Sequence, residues 1–327
     1  MFKLCCNITL NTASGKLSFP YVASVDIATS IETLTDTATV KFPKKLSYKD
    51  KPLYDLIRRG DKISIDLGYD GQYNTVFSGF IRKVQGGTPL ELECEDQMYL
   101  LKNIKLPTKH YPSLTLKSLL SQFCPSTVSY DVPDVNLGEF VIKDQPTLAM
   151  TLEYIKKEYC LNFFIRDGKL YGVLPSTLSS IDNSFKTHIF RMGQNVISDT
   201  LEYIQADDVK IIIKAKTILK DNTKLEVQQP ENESDGEIRT FHCSWAANKA
   251  DLTKFAKETL QSYKVDHMQG SITVFGLPFV RKGDAIKLYD PKNKERDNKS
   301  FLIKSVRYEF GMQGYRQQIE LGIQISA

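Results

Sequence analysis

The chain lacks any apolar run near the roughly 18 residues that a membrane-spanning helix needs. Its longest isoleucine run, Ile211-Ile212-Ile213, is flanked by lysines. The opening residues, Met1-Phe2-Lys3-Leu4-Cys5-Cys6-Asn7, show no extended hydrophobic segment and no small-residue cleavage site. A secretory signal is therefore not expected, and folding in a cytoplasm is. The six cysteines (Cys5, Cys6, Cys94, Cys124, Cys160, Cys243) contain no Cys-x-x-Cys pair, which excludes the common zinc patterns. Cys5 and Cys6 are adjacent, so on a strand they point to opposite faces. In a reducing compartment all six read as buried free thiols rather than disulfides. The four histidines, His110, His188, His242 and His267, have no metal-ligand spacing. Neither a Gly-x-Ser-x-Gly elbow nor a phosphate-binding Gly-rich loop is found. His242-Cys243 are neighbours on a strand and point apart, which does not suit a base and its nucleophile. An excess of one charge is missing as well. Lys plus Arg number 43 and Asp plus Glu 39, and the resulting +4 is too small and too dispersed for a nucleic-acid-binding face. No catalytic, cofactor-binding or metal-binding residue is assigned, and neither stable nucleic-acid binding nor a membrane span is expected.

What is present is a globular composition, with 41% hydrophobic and 25% charged residues over 327 positions, enough for two or three domains. The first hundred residues read as short strands. Ala38-Thr39-Val40-Lys41-Phe42 alternates up to Pro43, and Lys62-Ile63-Ser64-Ile65-Asp66-Leu67 alternates with its apolar face at 63, 65 and 67. Asp70-Gly71 supplies a hairpin turn, and strands follow over 76–84 and 90–94. The character changes near Pro107. Leu116, Leu119, Leu120 and Phe123 fall at helical spacing, as do Leu148, Leu152, Ile155 and Tyr159 after Pro146-Thr147. A hairpin over 161–174 turns at Asp167-Gly168. Strands return from about 185. Val209 to Leu219 reads as one long strand, 226–236 as an exposed acidic loop tip, and 249–264 as a helix with Leu252, Phe255, Ala256, Leu260 and Tyr263 on one face. The charged stretch 291–299 reads as a solvated hairpin loop.

An internal repeat is the most informative feature. Ile57-Arg58-Arg59-Gly60-Asp61-Lys62-Ile63-Ser64-Ile65-Asp66 matches Val280-Arg281-Lys282-Gly283-Asp284-Ala285-Ile286-Lys287-Leu288-Tyr289 in pattern. Further along, Phe80-Ile81-Arg82-Lys83-Val84 matches Leu302-Ile303-Lys304-Ser305-Val306, and Leu90-Glu91-Leu92 is aligned with Ile319-Glu320-Leu321. Gly60 and Gly283 permit positive φ before a strand, and Asp61 and Asp284 can accept nearby backbone amides. The repeat gives Arg59-Gly60-Asp61 a structural reading in place of an adhesion one.

With these segments in hand, the sequence resembles the baseplate hub proteins of contractile phage tails, the late-control protein D group. It is also similar to the N-terminal part of type VI secretion spike proteins. The carriers are Gly60-Asp61 with Phe77-Ser78-Gly79-Phe80-Ile81, the helix-then-hairpin segment 148–174, and Gly270-Ser271-Ile272-Thr273-Val274-Phe275-Gly276-Leu277-Pro278 leading to Lys282-Gly283-Asp284. Together they span nearly the whole chain. The expected fold is mainly β with an α+β insert. Two tail-tube-like β-barrels related by duplication occupy 1–104 and 185–327, and a small α+β domain fills 105–184. The resemblance implies a structural protein, not an enzyme. It implies a homotrimer whose six similar barrels form a ring that joins the tail-tube protein to a central spike and leaves a channel for cargo. It places the protein in the virion tail baseplate, assembled in the bacterial host cytoplasm. Spike proteins of the type VI kind continue past the last barrel, whereas these residues stop at Ala327, so the spike is expected to be a separate polypeptide.

Glu91, Glu93 and Glu95 share one strand face and are read as lining a negative channel that repels passing DNA. A glycosidase reading would require two such carboxyls about 5–9.5 Å apart in different environments. A carbohydrate- or cell-surface-binding module is the alternative, with Tyr69, Tyr73, Tyr99 and Tyr111 near loops as stacking platforms.

Overall fold

The computed structural model describes residues 3–43, 47–48, 51–159, 161–173, 186–206, 209–219, 223–243, 246, 248–264 and 267–325, and it is mainly β. Cys160, the expected hairpin end at Leu174 and the expected boundary between 184 and 185 lie outside the described residues. The chain opens with β1 (Leu4–Thr12), β2 (Gly15–Phe19), β3 (Ser24–Ser30), β4 (Thr37–Phe42), β5 (Ser47–Tyr48), β6 (Lys51–Pro52) and α1 (Leu53–Leu56). It continues through β7 (Lys62–Tyr69), β8 (Gln72–Gln85), β9 (Leu90–Glu95) and α2 (Met98–Leu101). Alternation decides which face each strand buries: Ile63, Ile65 and Leu67 of β7, Val40 and Phe42 of β4, and Leu90 and Leu92 of β9 all point into the core. The β7–β8 hairpin turns at Asp70-Gly71 with φ of 52° and 81°, the two-residue mirror-image turn this dipeptide favours.

Next come β10 (Lys109–Thr115), α3 (Leu116–Phe123), β11 (Ser129–Asp131), β12 (Asn136–Ile142), α4 (Leu148–Tyr159), β13 (Asn162–Arg166) and β14 (Lys169–Val173). The Thr115 hydroxyl caps α3 by accepting the Ser118 amide at 3.2 Å. Both helices bury the stripes that their spacing predicts, Leu116, Leu119 and Leu120 in α3 and Leu148, Leu152 and Ile155 in α4. The chain then forms β15 (Thr187–Arg191), β16 (Val196–Asp199), β17 (Glu202–Ile204), β18 (Ile211–Ile218), β19 (Lys224–Gln229), β20 (Glu237–His242) and α5 (Lys249–Tyr263). It ends with β21 (His267–Gln269), β22 (Ser271–Phe275), β23 (Ala285–Tyr289), β24 (Lys299–Gly311) and β25 (Gly314–Ile325). Residues 226–229, expected in an acidic loop, complete β19 and pair with β18.

Two compact units result. The first holds Met1–Leu100, Asp182–Leu201 and Gly270–Ala327, and the second holds Leu101–Ile181 and Glu202–Gln269. The stretch expected as one module, 185–327, is thus divided. The cause is apolar packing: α5 lays Leu252 and Ala256 on Ile213, Ala215 and Val227 of the β18–β20 sheet, and so belongs to the second unit.

In the first unit one sheet of 13 strands runs β16-β22-β25-β24-β3-β4-β9-β8-β7-β1-β2, with β23 on β24 and β15 on β23 as a branch. Strands β1–β9 form module 1, and β15, β16 and β22–β25 form module 2. The modules meet where β24 pairs antiparallel with β3, from Ser305↔Ser30 to Gly311↔Ser24. Among the described residues these pairings do not close on themselves, so the modules are two parts of one sheet rather than two sealed barrels.

Candidate functional site

The duplicated Gly-Asp turns have the same backbone geometry. Gly60 has φ +92° and Gly283 φ +85°, a region that a side chain rarely adopts. The Gly60 amide donates to the Ile81 carbonyl and the Gly283 amide to the Ile303 carbonyl, both at 2.8 Å. In return Ile81 N donates to Asp61 O at 2.9 Å, and Ile303 N to Asp284 O at 2.7 Å. Each aspartate caps its own turn: Asp61 Oδ2 accepts the Arg58 amide at 2.7 Å, and Asp284 Oδ2 accepts the Arg281 amide at 3.1 Å. Burial separates them. Asp284, only 2% exposed, also accepts the Lys186 amide at 3.3 Å and sits 3.0 Å from His188 Nε2, whereas Asp61 is partly exposed.

The following strands are equivalent too, with one correction. In β8 a bulge at Arg82 separates Ile81↔Cys94 from Lys83↔Glu93. In β24 a bulge at Lys304 separates Ile303↔Leu321 from Ser305↔Glu320. The partner of Ile319-Glu320-Leu321 is therefore Leu92-Glu93-Cys94, two residues beyond the expected Leu90-Glu91-Leu92. Each bulge aims its cation at the matching glutamate: Arg82 donates to Glu93, and Lys304 Nζ lies 3.0 Å from Glu320.

At the seam between the modules, Lys282 of the second Gly-Asp turn reaches into module 1. Its Nζ donates to Asp36 Oδ1 at 2.7 Å and to the Ser30 carbonyl at 3.2 Å. Asp96 stands beside Asp36, accepting the Asp36 amide at 3.2 Å and the Met98 amide at 3.0 Å. Burial first, and then the Asp36 charge, push the Asp96 carboxyl up to about 7. The counterpart of Lys282 in the first turn, Arg59, is exposed. Elsewhere along the seam Arg307 Nε donates to Asp26 at 3.0 Å, and Tyr69 Oη donates to the Tyr315 carbonyl at 3.1 Å.

Glu91, Glu93 and Glu95 do share a face of β9, but each has a cation. Lys41 lies 3.3 Å from Glu91, Arg82 and Lys83 contact Glu93, and Arg82 lies 3.7 Å from Glu95. The hydrogen bond from Arg82 is the main cause holding the Glu93 carboxyl below its usual range. A glycosidase acid needs the opposite shift, and the row forms a cross-strand ion ladder rather than an unpaired negative wall. The tyrosine platform disperses as well: Tyr69 packs at a tilt against Tyr315, Tyr99 stacks on Phe80, Tyr111 is buried, and Tyr73 stays exposed. Cys243 is buried, and His242 packs on Tyr159 with ring centroids 4.6 Å apart. Cys5 and Cys124 are half-buried rather than buried, and burial pushes the Cys6 thiol up to about 11. Arg296, in the stretch read as a solvated loop, is instead clamped between Asp290 and Asp199 at 2.7 Å each. Among the described residues no cluster of His, Cys, Asp or Glu is arranged to hold a metal, and no helix is long and apolar enough to cross a membrane.

No protein-family model matches the sequence, and no curated protein matches it. Solved structures do. The tail protein from Neisseria meningitidis MC58 superposes with a TM-score of 0.65 at 16% identity, over 98% of this chain and 97% of its own. The 43 kDa tail protein of prophage MuSo2 from Shewanella oneidensis gives 0.63 at 14% identity, over 97% and 98%. An E. coli component of the type VI secretion system, described as structurally similar to T4 bacteriophage tail proteins gp27 and gp5, gives 0.51 at 9% identity, over 93% and 74%. The chain has the fold of these phage tail and type VI proteins, as the resemblance implied.

Replacing Asp284 by Ala strands buried donors, so it is expected to cost about 2–4 kcal/mol in urea denaturation, against about 1 kcal/mol for Asp61→Ala. Glu93→Gln is expected to cost about 1 kcal/mol or less at neutral pH. Because the folded Glu93 carboxyl lies below its ordinary value of 4.5, that contribution is complete above this value and is lost as pH falls through the lowered one. Wild type and variant should therefore converge in acid.

Proposed function

We propose that this chain is a structural hub subunit of a contractile tail or related injection machine. Three copies form a ring of six similar β modules, which joins a sixfold tail tube to a threefold central spike in the baseplate and leaves a channel for cargo. The observation that carries this reading is the duplication itself: two modules with the same turn, the same bulge and the same strand pairing. A threefold ring of doubled modules meets a sixfold partner on one side and a threefold partner on the other.

The strand edges support it. In module 2 the C-terminal half of β24 pairs with β3 of module 1. In module 1 the corresponding residues of β8, Lys83 and Val84, pair with β9 alone among the described residues. The counterpart of β3 in module 2 is β16, which pairs with β22 alone among the described residues. A β8–β16 pairing between copies repeats the β24–β3 pairing within the chain and consumes both open edges. Arg59, exposed, then sits where Lys282 sits within the chain. The tail and type VI proteins that share this fold support the same role, and a structural rather than catalytic task is part of the proposal. Glu91 and Glu93 line the channel in this reading, whereas Glu95, 7% exposed, is buried beneath Arg82 and does not. The alternating charges of this face let cargo pass without strong attraction or repulsion.

The test is native mass spectrometry of the chain co-expressed with a spike-like protein. Three copies per complex are expected. Ile197→Lys, at a 43% exposed apolar position on β16, is expected to leave single copies with an unchanged circular dichroism spectrum. A wild-type chain found singly on the spike would overturn the ring, and an intact trimer of the variant would overturn the β16 edge.

A further inference from the structure

The seam between the modules buries more acid than base. Asp36 and Asp96 belong to module 1 and Lys282 to module 2, and the three are 6%, 4% and 4% exposed. Lys282 Nζ lies 2.7 Å from Asp36 Oδ1, which also accepts the Ser30 amide at 3.2 Å. The Asp96 oxygens accept two backbone amides, from Asp36 and Met98. One ammonium, bonded to Asp36 and acting on Asp96 through its charge, thus faces two buried carboxyls. With both ionised the cluster carries a buried negative charge, and with one proton it is neutral.

Other charged and titratable groups stand around the cluster, among them Asp284 of the same turn as Lys282, which faces His188 Nε2 at 3.0 Å. Tyr308 of β24 is buried near Asp36, and its Oη donates to the Val280 carbonyl at 2.7 Å. Arg281 packs over the Phe279 ring. Glu95 faces Arg82, and Lys304 is held at the rim by Glu32 and Glu320 at 3.0 Å each. Burial raises both carboxyls, and the Asp36 charge raises Asp96 further, while Lys282 and backbone amides pull the other way, so the shared proton belongs to the pair.

We propose that the joint between the two β modules is a proton-operated lock, closed while the Asp36–Asp96 pair holds one proton and loosened when that proton leaves to water. The lock is independent of the hub reading, since it lies within one chain. Its sign follows from linkage. A carboxyl held above its unfolded range binds a proton in the closed form that the open form releases. Closure is therefore strongest on the acid side and weakens as pH rises toward the folded value, levelling off above it. One proton corresponds to about a tenfold rise in opening per pH unit across that window.

The test compares melting temperatures of the full chain and of Asp96→Asn between about pH 5.5 and 8.5. The wild type is expected to lose stability as pH rises toward about 7, and the variant to show a flattened profile. Asn accepts one backbone amide rather than two, so its absolute melting temperature is lower at acid pH, and the slope is the readout. Parallel profiles overturn the proposal. Should Asp96→Asn fail to fold, hydrogen exchange of wild-type segments 29–37 and 279–284 decides. Protection corrected for intrinsic exchange should fall about tenfold per pH unit below 7 and flatten above it, and pH-independent protection overturns the lock.

Discussion

The joining of the first unit depends on β24 running well past its β23 partner. Its first residues pair with β23 and its later ones with β3, while its opposite edge is occupied by β25. A backbone edge left without partners is costly to bury and prone to unwanted pairing. By giving the second half of that edge to β3, the chain fuses its two modules into one sheet. The fusion brings the turn carrying Lys282 against the turn between β3 and β4, and the charged cluster at the seam follows from it. Ladder bonds set the geometry there, and the buried ion pair inherits it.

The two copies show what duplication keeps and what it lets go. Main-chain bonds of the Gly-Asp turns agree to within a few tenths of an ångström, and the bulge falls at the same place. Their surroundings have diverged. Asp284 is enclosed and has gained partners that Asp61 lacks, and Lys282 is sealed into the seam while Arg59 faces outward. One backbone device thus serves an inner joint and an outer edge.

Local features were legible in the sequence. Alternation located strands such as β4, β7, β9 and β18, 3.6-residue spacing located α3, α4 and α5, and the Asp-Gly pairs located their turns, because each depends on neighbouring residues alone, while part of β19 reads as a loop. The repeat was also legible, but its last segment was set two residues off. Strand side chains alternate with period two, so a shift of two keeps every residue on its own face, and only the bulges fix the register. The seam could not be read at all. Lys282 and Asp36 stand 246 positions apart, and neither lies in a run that signals a buried charge. Arg296 was lost among solvated lysines for the same reason. The membership of α5 depends on which sheet its apolar stripe meets, and amphipathicity does not specify that.

The β3–β4 hairpin has a counterpart in module 2 that is open at its end. Asp199↔Ile272 on β16 and β22 holds the place of Val25↔Val40 on β3 and β4. Where module 1 turns through residues 31–36, module 2 sends the chain through 205–266, with β18, β19, β20 and α5, before it returns as β21. Closing a longer loop costs free energy only logarithmically, so a hairpin already registered by its sheet can carry a folded passenger at little expense to the scaffold. Module 1 has no such freedom, because its short turn delivers Asp36 to the seam. Of two copies built on one plan, one closes this hairpin in a short turn that holds the first unit together, and the other leaves the same point of the chain open to a long insertion.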